Sequence, residues 1–354
     1  MFNNQFSIRL KLARSLAGLS QDELVQKMNG FVSKNAISKY EKGLMMPGSS
    51  VLIELSKALE VKTDFFFRNE TMELPEVKFR KHSRLKKGEI KKIIAQSTDL
   101  LERYLEVESI LVLGGKFHNP IKNIICKNTD DAKNAAIKLR EYWELGLNPI
   151  PNVIEMLEYH EVKVFEFTTS DGFDGLSTWV GDIPLVVLNK SFNVLRKRFT
   201  ALHELGHILL NIDRKKIDDK AEEKLCNAFA NELLIPSEKL VENIGKHRKS
   251  ISLNELIDLK EYYGISIAAL MYKVRDLKIV NESVIKRFWL LRNRDRELKL
   301  ETEPKYGVYE GKEESDRFNQ LIYRAASEEV VSMSKAASLA NMKLADFRDE
   351  FLTL

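Results

Sequence analysis

The sequence is short of the features that mark secreted, membrane and disulfide-rich proteins. Its 354 residues include two cysteines, Cys126 and Cys226, which excludes a disulfide scaffold and a four-cysteine zinc site. No apolar run approaches the ~20 residues of a membrane-spanning helix, and the opening residues MFNNQFSIRLKLARS do not form a signal peptide. The net charge of +4 is too mild to prove a nucleic-acid partner without its distribution along the chain. A cytoplasmic protein with no membrane partner is therefore expected.

What is present is enough apolar sequence for a sizeable core. Hydrophobic residues make up 44% and charged residues 31% of the chain, and a chain of this length forms about two or three domains. The pattern predicts an α+β protein. Its predicted parts are an all-α bundle at residues 1–70, a basic linker at 71–92, an α+β domain with a small sheet at 93–245 and a mostly helical region at 246–354.

The first 70 residues, the head, carry the start and stop signals of five short helices. Gly18 is suited to end the first helix. Ser20 and Glu23 form a capping box at the start of the second, and Ser33 is placed to cap the third. The run from Asp64 to Phe67 is expected to close the bundle.

A basic stretch follows the head. Residues 78–92 contain eight lysines and arginines and one acid, a net charge of +7 in fifteen residues. One interpretation is a solvated linker and the exposed face of the helix predicted at 88–112. The other is a tether that also contacts DNA phosphates. The basic residues are Lys78, Arg80, Lys81, Arg84, Lys86, Lys87, Lys91 and Lys92.

The middle of the chain combines short strands with amphipathic helices. Apolar and polar residues alternate from Glu161 to Phe167, and apolar runs at about 176–180 and 183–188 predict two more strands. Helices are predicted at about 195–211 and 219–234. A small sheet therefore precedes a helical half.

The most informative residues are His203-Glu204-Leu205-Gly206-His207. Residues i and i+4 lie on one face of a helix, so the two imidazoles can grip one Zn²⁺ while Glu204 acts as a general base. The alternative is a pair of histidines on an amphipathic helix that binds no metal. The motif predicts zinc-dependent hydrolysis.

A catalytic zinc usually has three protein ligands and an open fourth position. The following helix offers Glu222, Glu223 and Glu232, of which Glu223 lies four residues before Asn227 on one face. Glu223 is therefore a candidate third ligand, and Asn227 can brace a zinc-binding histidine from behind. The alternative is that Glu222 and Glu223 form a favourable acidic first turn. Cys226 adjoins this face and is expected to be a buried thiol rather than a ligand.

The HExxH motif at His203–His207 and the helix that follows it resemble the ImmA/IrrE metallopeptidases, and the resemblance covers roughly residues 75–280. The resemblance implies that His203, His207 and Glu223 are the zinc ligands and that Glu204 is the base. One departure is Cys226, where the family often has alanine. The implied activity is that of an endopeptidase which cuts a partner repressor of the helix-turn-helix type, relieving repression after phage-related, conjugative or DNA-damage stress. The matching segments are 139–146, 149–150, 173–177, 198–207, 226–236 and 270–277.

The head resembles the XRE/Cro-type helix-turn-helix family, through Gly18–Leu24, Ile37–Gly43, Pro47 and Leu55–Phe65. In such domains a recognition helix inserts its N-terminal residues into the major groove of double-stranded DNA. Residues 1–70 carry ten basic and seven acidic side chains, so a homodimer or the basic linker is needed for tight binding. The alternative is a head used for protein contacts alone. The predicted DNA contacts are Gln21, Lys34, Asn35, Ser38 and Lys39.

Together these features predict a zinc-dependent endopeptidase with a DNA-binding head, which acts in transcription regulation by cleaving a helix-turn-helix repressor. One alternative is a DNA-binding regulator whose zinc site is structural or sensory. Another is an antitoxin-like or phage-defence protein. The sequence does not identify which residue acts as a second electrophile in the active site. The four candidates are Arg196, His247, Tyr262 and Tyr263.

Two further expectations concern the surroundings of the site. The strand that ends at Leu188 and Asn189 is expected to offer an edge on which an extended substrate pairs. The segment from Ser332 to Phe347 faintly resembles a second helix-turn-helix, although a plain helical packing region is favoured.

Overall fold

The computed structural model describes residues 2–68, 86–170, 172–301 and 304–351. Four residues of the predicted basic stretch, Lys78, Arg80, Lys81 and Arg84, lie outside the described residues. Within the described part of the chain, no helix combines the length and the apolar character needed to cross a bilayer.

The elements follow the predicted order. The head comprises α1 (Phe2–Leu16), α2 (Gln21–Lys27), α3 (Lys34–Glu41), α4 (Ser49–Leu59) and a 3₁₀ turn at Thr63–Phe67. The middle comprises α5 (Lys87–Ile110), α6 (Thr129–Tyr142), α7 (Val153–Tyr159), β1 (Lys163–Phe167), β2 (Gly175–Val180), β3 (Ile183–Asn189), α8 (Val194–Leu209) and α9 (Asp219–Leu234). The remainder comprises α10 (Ser237–Ile244), α11 (Leu253–Tyr263), α12 (Ile267–Asp276), α13 (Glu282–Arg294), α14 (Arg296–Leu300), a 3₁₀ turn at Pro304–Tyr306, α15 (Arg317–Ser327), α16 (Met333–Leu339) and α17 (Leu344–Phe351).

The capping signals of the head are confirmed. The Ser20 side chain accepts a hydrogen bond from the backbone N–H of Glu23, whose carboxylate in turn accepts from the Ser20 N–H. Ser33 caps α3 by accepting a hydrogen bond from the backbone N–H of Ala36. Gly18 ends α1 with a φ of +69°, a left-handed conformation that glycine adopts without strain. Phe66 of the closing turn is fully buried in the core of the head.

The sheet has three strands in the order β1-β3-β2. β3 runs parallel to β1 and antiparallel to β2, so both of its edges are paired. The predicted open edge at Leu188 and Asn189 is therefore wrong. The unbroken apolar run of β3 is typical of a strand that is covered on both faces, and it is buried along nearly its whole length.

The sheet separates two apolar cores. On one face, Val186 and Leu188 pack with the helices α6 to α9 in a core that extends as far as Tyr306. On the other face, Phe165 and Val187 pack with α5 and with the helices α15 to α17. The first core crosses the predicted boundary at residue 245, since helices after that point complete the packing around α8 and α9.

Helix α5 contacts the head, the sheet and the last helices of the chain. On the head, Arg9 Nη1 lies 2.6 Å from Glu102 Oε2. On the sheet, Lys163 Nζ lies 2.6 Å from Glu108 Oε1. Toward the C-terminal helices, Arg103 Nη1 donates to the Leu339 carbonyl. Because these contacts are buried or half-buried, α5 fixes the head and the sheet in one arrangement.

The segment after the second 3₁₀ turn is fastened to α8. Arg198 of α8 and Glu313 form an ion pair in which both side chains are fully buried. The Glu313 carboxylate also accepts the backbone N–H groups of Val153 and Ile154 at the start of α7. The fold class predicted from sequence is thus confirmed: a helical head, a central domain with a small sheet, and a helical C-terminal region.

Candidate metal centre

Helix α8 presents the two motif histidines on one face. Its first turn is capped by Asn193, whose side chain accepts a hydrogen bond from the backbone N–H of Arg196. His203 and His207 follow one turn apart, with ring centroids separated by 4.7 Å and Nε2 atoms separated by 3.1 Å. Both Nε2 atoms therefore face one point beside the helix.

Helix α9 packs closely enough against α8 to bring a carboxylate to that point. Gly206 permits the approach, because a Cβ atom there would lie 3.3 Å from the Cα atom of Cys226. Glu223 Oε2 lies 3.1 Å from His203 Nε2, and its Oε1 lies 3.4 Å from His207 Nε2. The ligand atoms of the three residues all lie within 4.8 Å of one another. The structure thus brings together the three side chains that the sequence singles out.

The donor set and the exposure of this cluster suit a catalytic metal ion. Two imidazole nitrogens and one carboxylate oxygen are typical donors for a divalent transition metal. The side chains of His203 and Glu223 are 14% and 28% exposed, whereas that of His207 is 2% exposed. Protein donors therefore lie on one side and an accessible position on the other, as in catalytic rather than structural sites.

Each histidine is held from behind through its Nδ1 atom. The Asn227 amide oxygen lies 3.0 Å from His203 Nδ1, where the sequence places a bracing residue. Glu222 Oε1 lies 3.3 Å from His207 Nδ1 and 3.3 Å from Arg214 Nε. An acceptor at Nδ1 keeps the proton on that atom and leaves the Nε2 lone pair for a metal. Sequence reasoning considered Glu222 only as a ligand or a helix-end charge, and it missed this contact.

Cys226 is a buried thiol, as expected, and its Sγ lies 2.9 Å from His207 Nδ1. Burial lowers the pKa of His207, but hydrogen bonds to Cys226, Glu222 and Glu223 outweigh burial and raise that pKa above its usual range. Burial raises the pKa of Glu223, but hydrogen bonds from the two histidines outweigh it and lower that pKa. The close approach of the Glu223 carboxylate to the two imidazoles contributes to both shifts.

Glu204 lies next to the cluster in a fixed position. Its carboxylate oxygen Oε2 accepts a hydrogen bond of 2.6 Å from the hydroxyl of Ser177 on β2, and the residue is 9% exposed. Gly175 lets β2 approach α8, since a Cβ atom there would lie 2.8 Å from Thr200 Cγ2. The close approach of strand and helix holds the carboxylate beside His203.

β2 is an edge strand that passes Glu204. Pro184 of β3 has no N–H and lies opposite Trp179, so these two form a non-hydrogen-bonded pair. By the alternation of an antiparallel ladder, the backbone groups of Gly175, Ser177 and Trp179 then face away from β3. No strand of the described residues pairs with that side. An extended peptide can therefore hydrogen-bond to β2 next to Glu204.

The four candidates for a second electrophile are dispersed. Arg196 lies on α8 two turns before His203, and its guanidinium is paired with Asp174. Tyr263 is buried in the first core, and Tyr262 is exposed beside it. His247 is exposed on the loop after α10. Of the four, Arg196 is the one on a helix that carries the site.

In the head, the predicted DNA contacts lie on the first turns of α2 and along α3. Gln21 Nε2 donates to the buried Glu41 carboxylate at 2.8 Å, and Lys34 Nζ lies 2.6 Å from Asp22 Oδ2. The first turns of α2 and α3 therefore lie side by side. Asn35 and Lys39 are exposed and Ser38 is partly exposed.

Two family models match the chain. Residues 10–66 match a helix-turn-helix model, and residues 157–275 match the model of the IrrE N-terminal-like domain, Peptidase_M78. No curated protein matches the chain. The first match spans the head from within α1 to its closing turn. The second runs from α7 into α12 and includes the sheet, α8 and α9. The chain therefore combines a segment that matches a helix-turn-helix model with a later segment that matches the IrrE N-terminal-like, Peptidase_M78 model.

Proposed function

We propose that this protein is a zinc-dependent endopeptidase of the gluzincin type with a DNA-binding head, which acts in transcription regulation by cleaving a helix-turn-helix repressor. The observation that carries the proposal is the convergence of His203, His207 and Glu223 beside Glu204, within a domain that matches a peptidase family. The proposed setting is the cytoplasm, in a stress, phage or mobile-element response.

The side chains around the site have separate roles in peptide hydrolysis. When bound, the zinc ion supplies a Lewis acid at the open side of its three ligands. Glu204, held by Ser177, takes a proton from the attacking water as that water adds to the peptide carbonyl. Glu204 then delivers the proton to the amine that leaves when the C–N bond breaks. Asn227 and Glu222 keep both imidazoles oriented throughout.

The presence of the head in the same chain supports the proposal that the substrate is a DNA-bound protein. A helix-turn-helix domain matches in the same chain as the peptidase domain, and buried contacts of α5 join the two. The peptidase is thereby carried to double-stranded DNA, where a repressor is bound. The free edge of β2 suits an extended segment of such a repressor.

The proposal is tested by incubating the zinc-loaded full-length protein with a helix-turn-helix repressor encoded by a neighbouring gene, with and without a chelator. We expect one discrete cut that the chelator blocks, detected by gel electrophoresis and mass spectrometry. An intact repressor alongside full zinc occupancy and DNA binding would favour a sensory or structural zinc instead. A stable complex without a cut would favour the antitoxin-like or phage-defence alternative.

The ligand assignment makes a separate prediction about two neighbouring carboxylates. Glu223→Gln removes the negative charge and replaces with an amide nitrogen one of the two oxygens that face the Nε2 atoms of His203 and His207. Glu222→Gln removes only the carboxylate behind His207, and such outer partners are worth roughly 10- to 100-fold in metal affinity. In a competition titration against a chromophoric zinc chelator, we expect Glu223→Gln to weaken zinc binding by more than about 100-fold. Glu222→Gln should weaken zinc binding by no more than about 100-fold.

Glu155→Gln, at an exposed position on α7, is the matched control and should bind zinc like the wild type. The reverse order of the two losses would transfer the ligand role to Glu222.

A further inference from the structure

The first turns of α2 and α3 form the part of the head that faces DNA. In helix-turn-helix domains the recognition helix enters the major groove by its N-terminal residues, while the preceding helix crosses the backbone. The ion pair of Lys34 with Asp22 joins these two turns. Any side chain that borders this pair therefore lies near the path of the phosphates.

The first turns of α5 border the same place. A cleft of about 450 Å³ lies between the starts of α2, α3 and α5, and is lined by residues of all three helices. From α5 it is lined by Lys87, Gly88 and Lys91. Lys87 and Lys91 share one helix face because they are four residues apart. The neighbouring Lys92 lies close to Gly18, where a Cβ atom would meet its Cδ at 3.7 Å.

Helix α5, which carries these lysines, packs against the head. The Arg9 guanidinium of α1 is 1% exposed and pairs with Glu102 of α5 at 2.6 Å. Arg68, at the end of the head, lies 3.7 Å from Asp99 of α5. These two contacts hold the middle of α5 against the head, and the helix runs back from there to its first turns at the cleft.

The charges in the cleft favour an anion beside α5. The acids that line it are engaged, Asp22 by Lys34 and Glu23 by the Ser20 backbone. The cation Arg14 is likewise engaged, by Glu41. Lys87 and Lys91 are exposed, and within the described residues neither lies at ion-pair distance from an acid. Among the described residues, these two cations beside the path of the DNA therefore have no acidic partner.

We propose that Lys87 and Lys91 bind phosphates of the duplex that the head engages, so that the DNA-binding surface extends beyond the helix-turn-helix domain onto α5. The inference rests on the proposed DNA-binding function. It accounts for how one head with few surplus positive charges gains affinity, since each phosphate neutralised by a lysine releases counter-ions.

The test measures binding of the full-length protein to a fluorescent mixed-sequence duplex of about 30 base pairs, at salt concentrations from about 50 to 200 mM. We expect the double variant Lys87→Ala/Lys91→Ala to lower the slope of log affinity against log salt by about 2, or about 1 per lysine. Its affinity should fall roughly tenfold or more at about 100 mM salt. Lys87→Arg/Lys91→Arg should retain the wild-type slope.

The matched control is Lys246→Ala/Lys249→Ala, which removes the same charge from an exposed loop after α10 and should leave the slope unchanged. A wild-type slope in the α5 variant, or a loss of affinity without a change of slope, would overturn the inference while DNA binding itself stands. If the wild-type protein shows no salt-dependent binding, the proposed DNA-binding function fails together with it.

Discussion

Glu204→Gln is expected to slow repressor cleavage by about 10³-fold or more while zinc stays bound, because glutamine keeps the shape of the side chain but cannot take up a proton. The carboxylate is held by Ser177 at 2.6 Å and lies beside the ligand cluster without belonging to it. Loss of the proton carrier should therefore act on the rate of bond cleavage alone. Single-turnover cleavage followed on gels, with zinc content measured by mass spectrometry, checks both parts.

Two further variants serve as comparisons for the cleavage rate of Glu204→Gln. Ser177→Ala should slow cleavage far less than Glu204→Gln, since it removes the hydrogen bond that positions the carboxylate and leaves the carboxylate itself. Glu155→Gln should cut like the wild type. Normal cleavage by the Glu204→Gln protein would remove the general-base role, and loss of its zinc would place Glu204 among the ligands.

Glu313→Ala is expected to destabilise the folded protein by about 3–5 kcal/mol, because it leaves the Arg198 guanidinium buried without its counter-charge. The same change deprives the N–H groups of Val153 and Ile154 of their acceptor. Burial raises the pKa of Glu313 above its usual range, although Arg198 and those N–H groups oppose the shift. Denaturant unfolding followed by circular dichroism measures the loss.

The exposed pair of Lys312 with Asp316, 3.3 Å apart, is the control in the same segment, and Asp316→Ala should leave the unfolding transition in place. Replacing both buried partners, as in Arg198→Met/Glu313→Leu, should recover part of the stability, since no unpaired charge remains. A Glu313→Ala protein as stable as the wild type would show that water or another group reaches Arg198.

Local sequence signals predicted the elements and part of the site well. The capping box at the start of α2 and the glycine at the end of α1 depend on residues that are close together in the chain, so their geometry is determined by spacing. The same holds for His203 and His207, because one helical turn separates them. For Glu223 the sequence offered a candidate and an alternative, and the packing of α9 on α8 brings its carboxylate to the two imidazoles.

The contacts that sequence reasoning missed join residues far apart in the chain. Ser177 meets Glu204, and Arg198 meets Glu313, only because tertiary packing brings a strand or a loop against α8. Strand order is likewise not a local property, and the open edge was assigned to β3 instead of β2. One signal was present, since the continuous apolar run from Ile183 to Leu188 is typical of a central, fully covered strand.

Under the proposed function, helix α5 sets the position of the candidate metal centre relative to the DNA that the head binds. It is 24 residues long, or about 36 Å, and it is joined by buried ion pairs to the head on one side and to the sheet on another. The candidate metal centre therefore has a fixed angular position around the DNA axis once the head is bound. Because DNA turns once in about 10.5 base pairs, shifting a repressor's own site by half a turn relative to the head's site would carry the substrate to the far side of the duplex, out of reach.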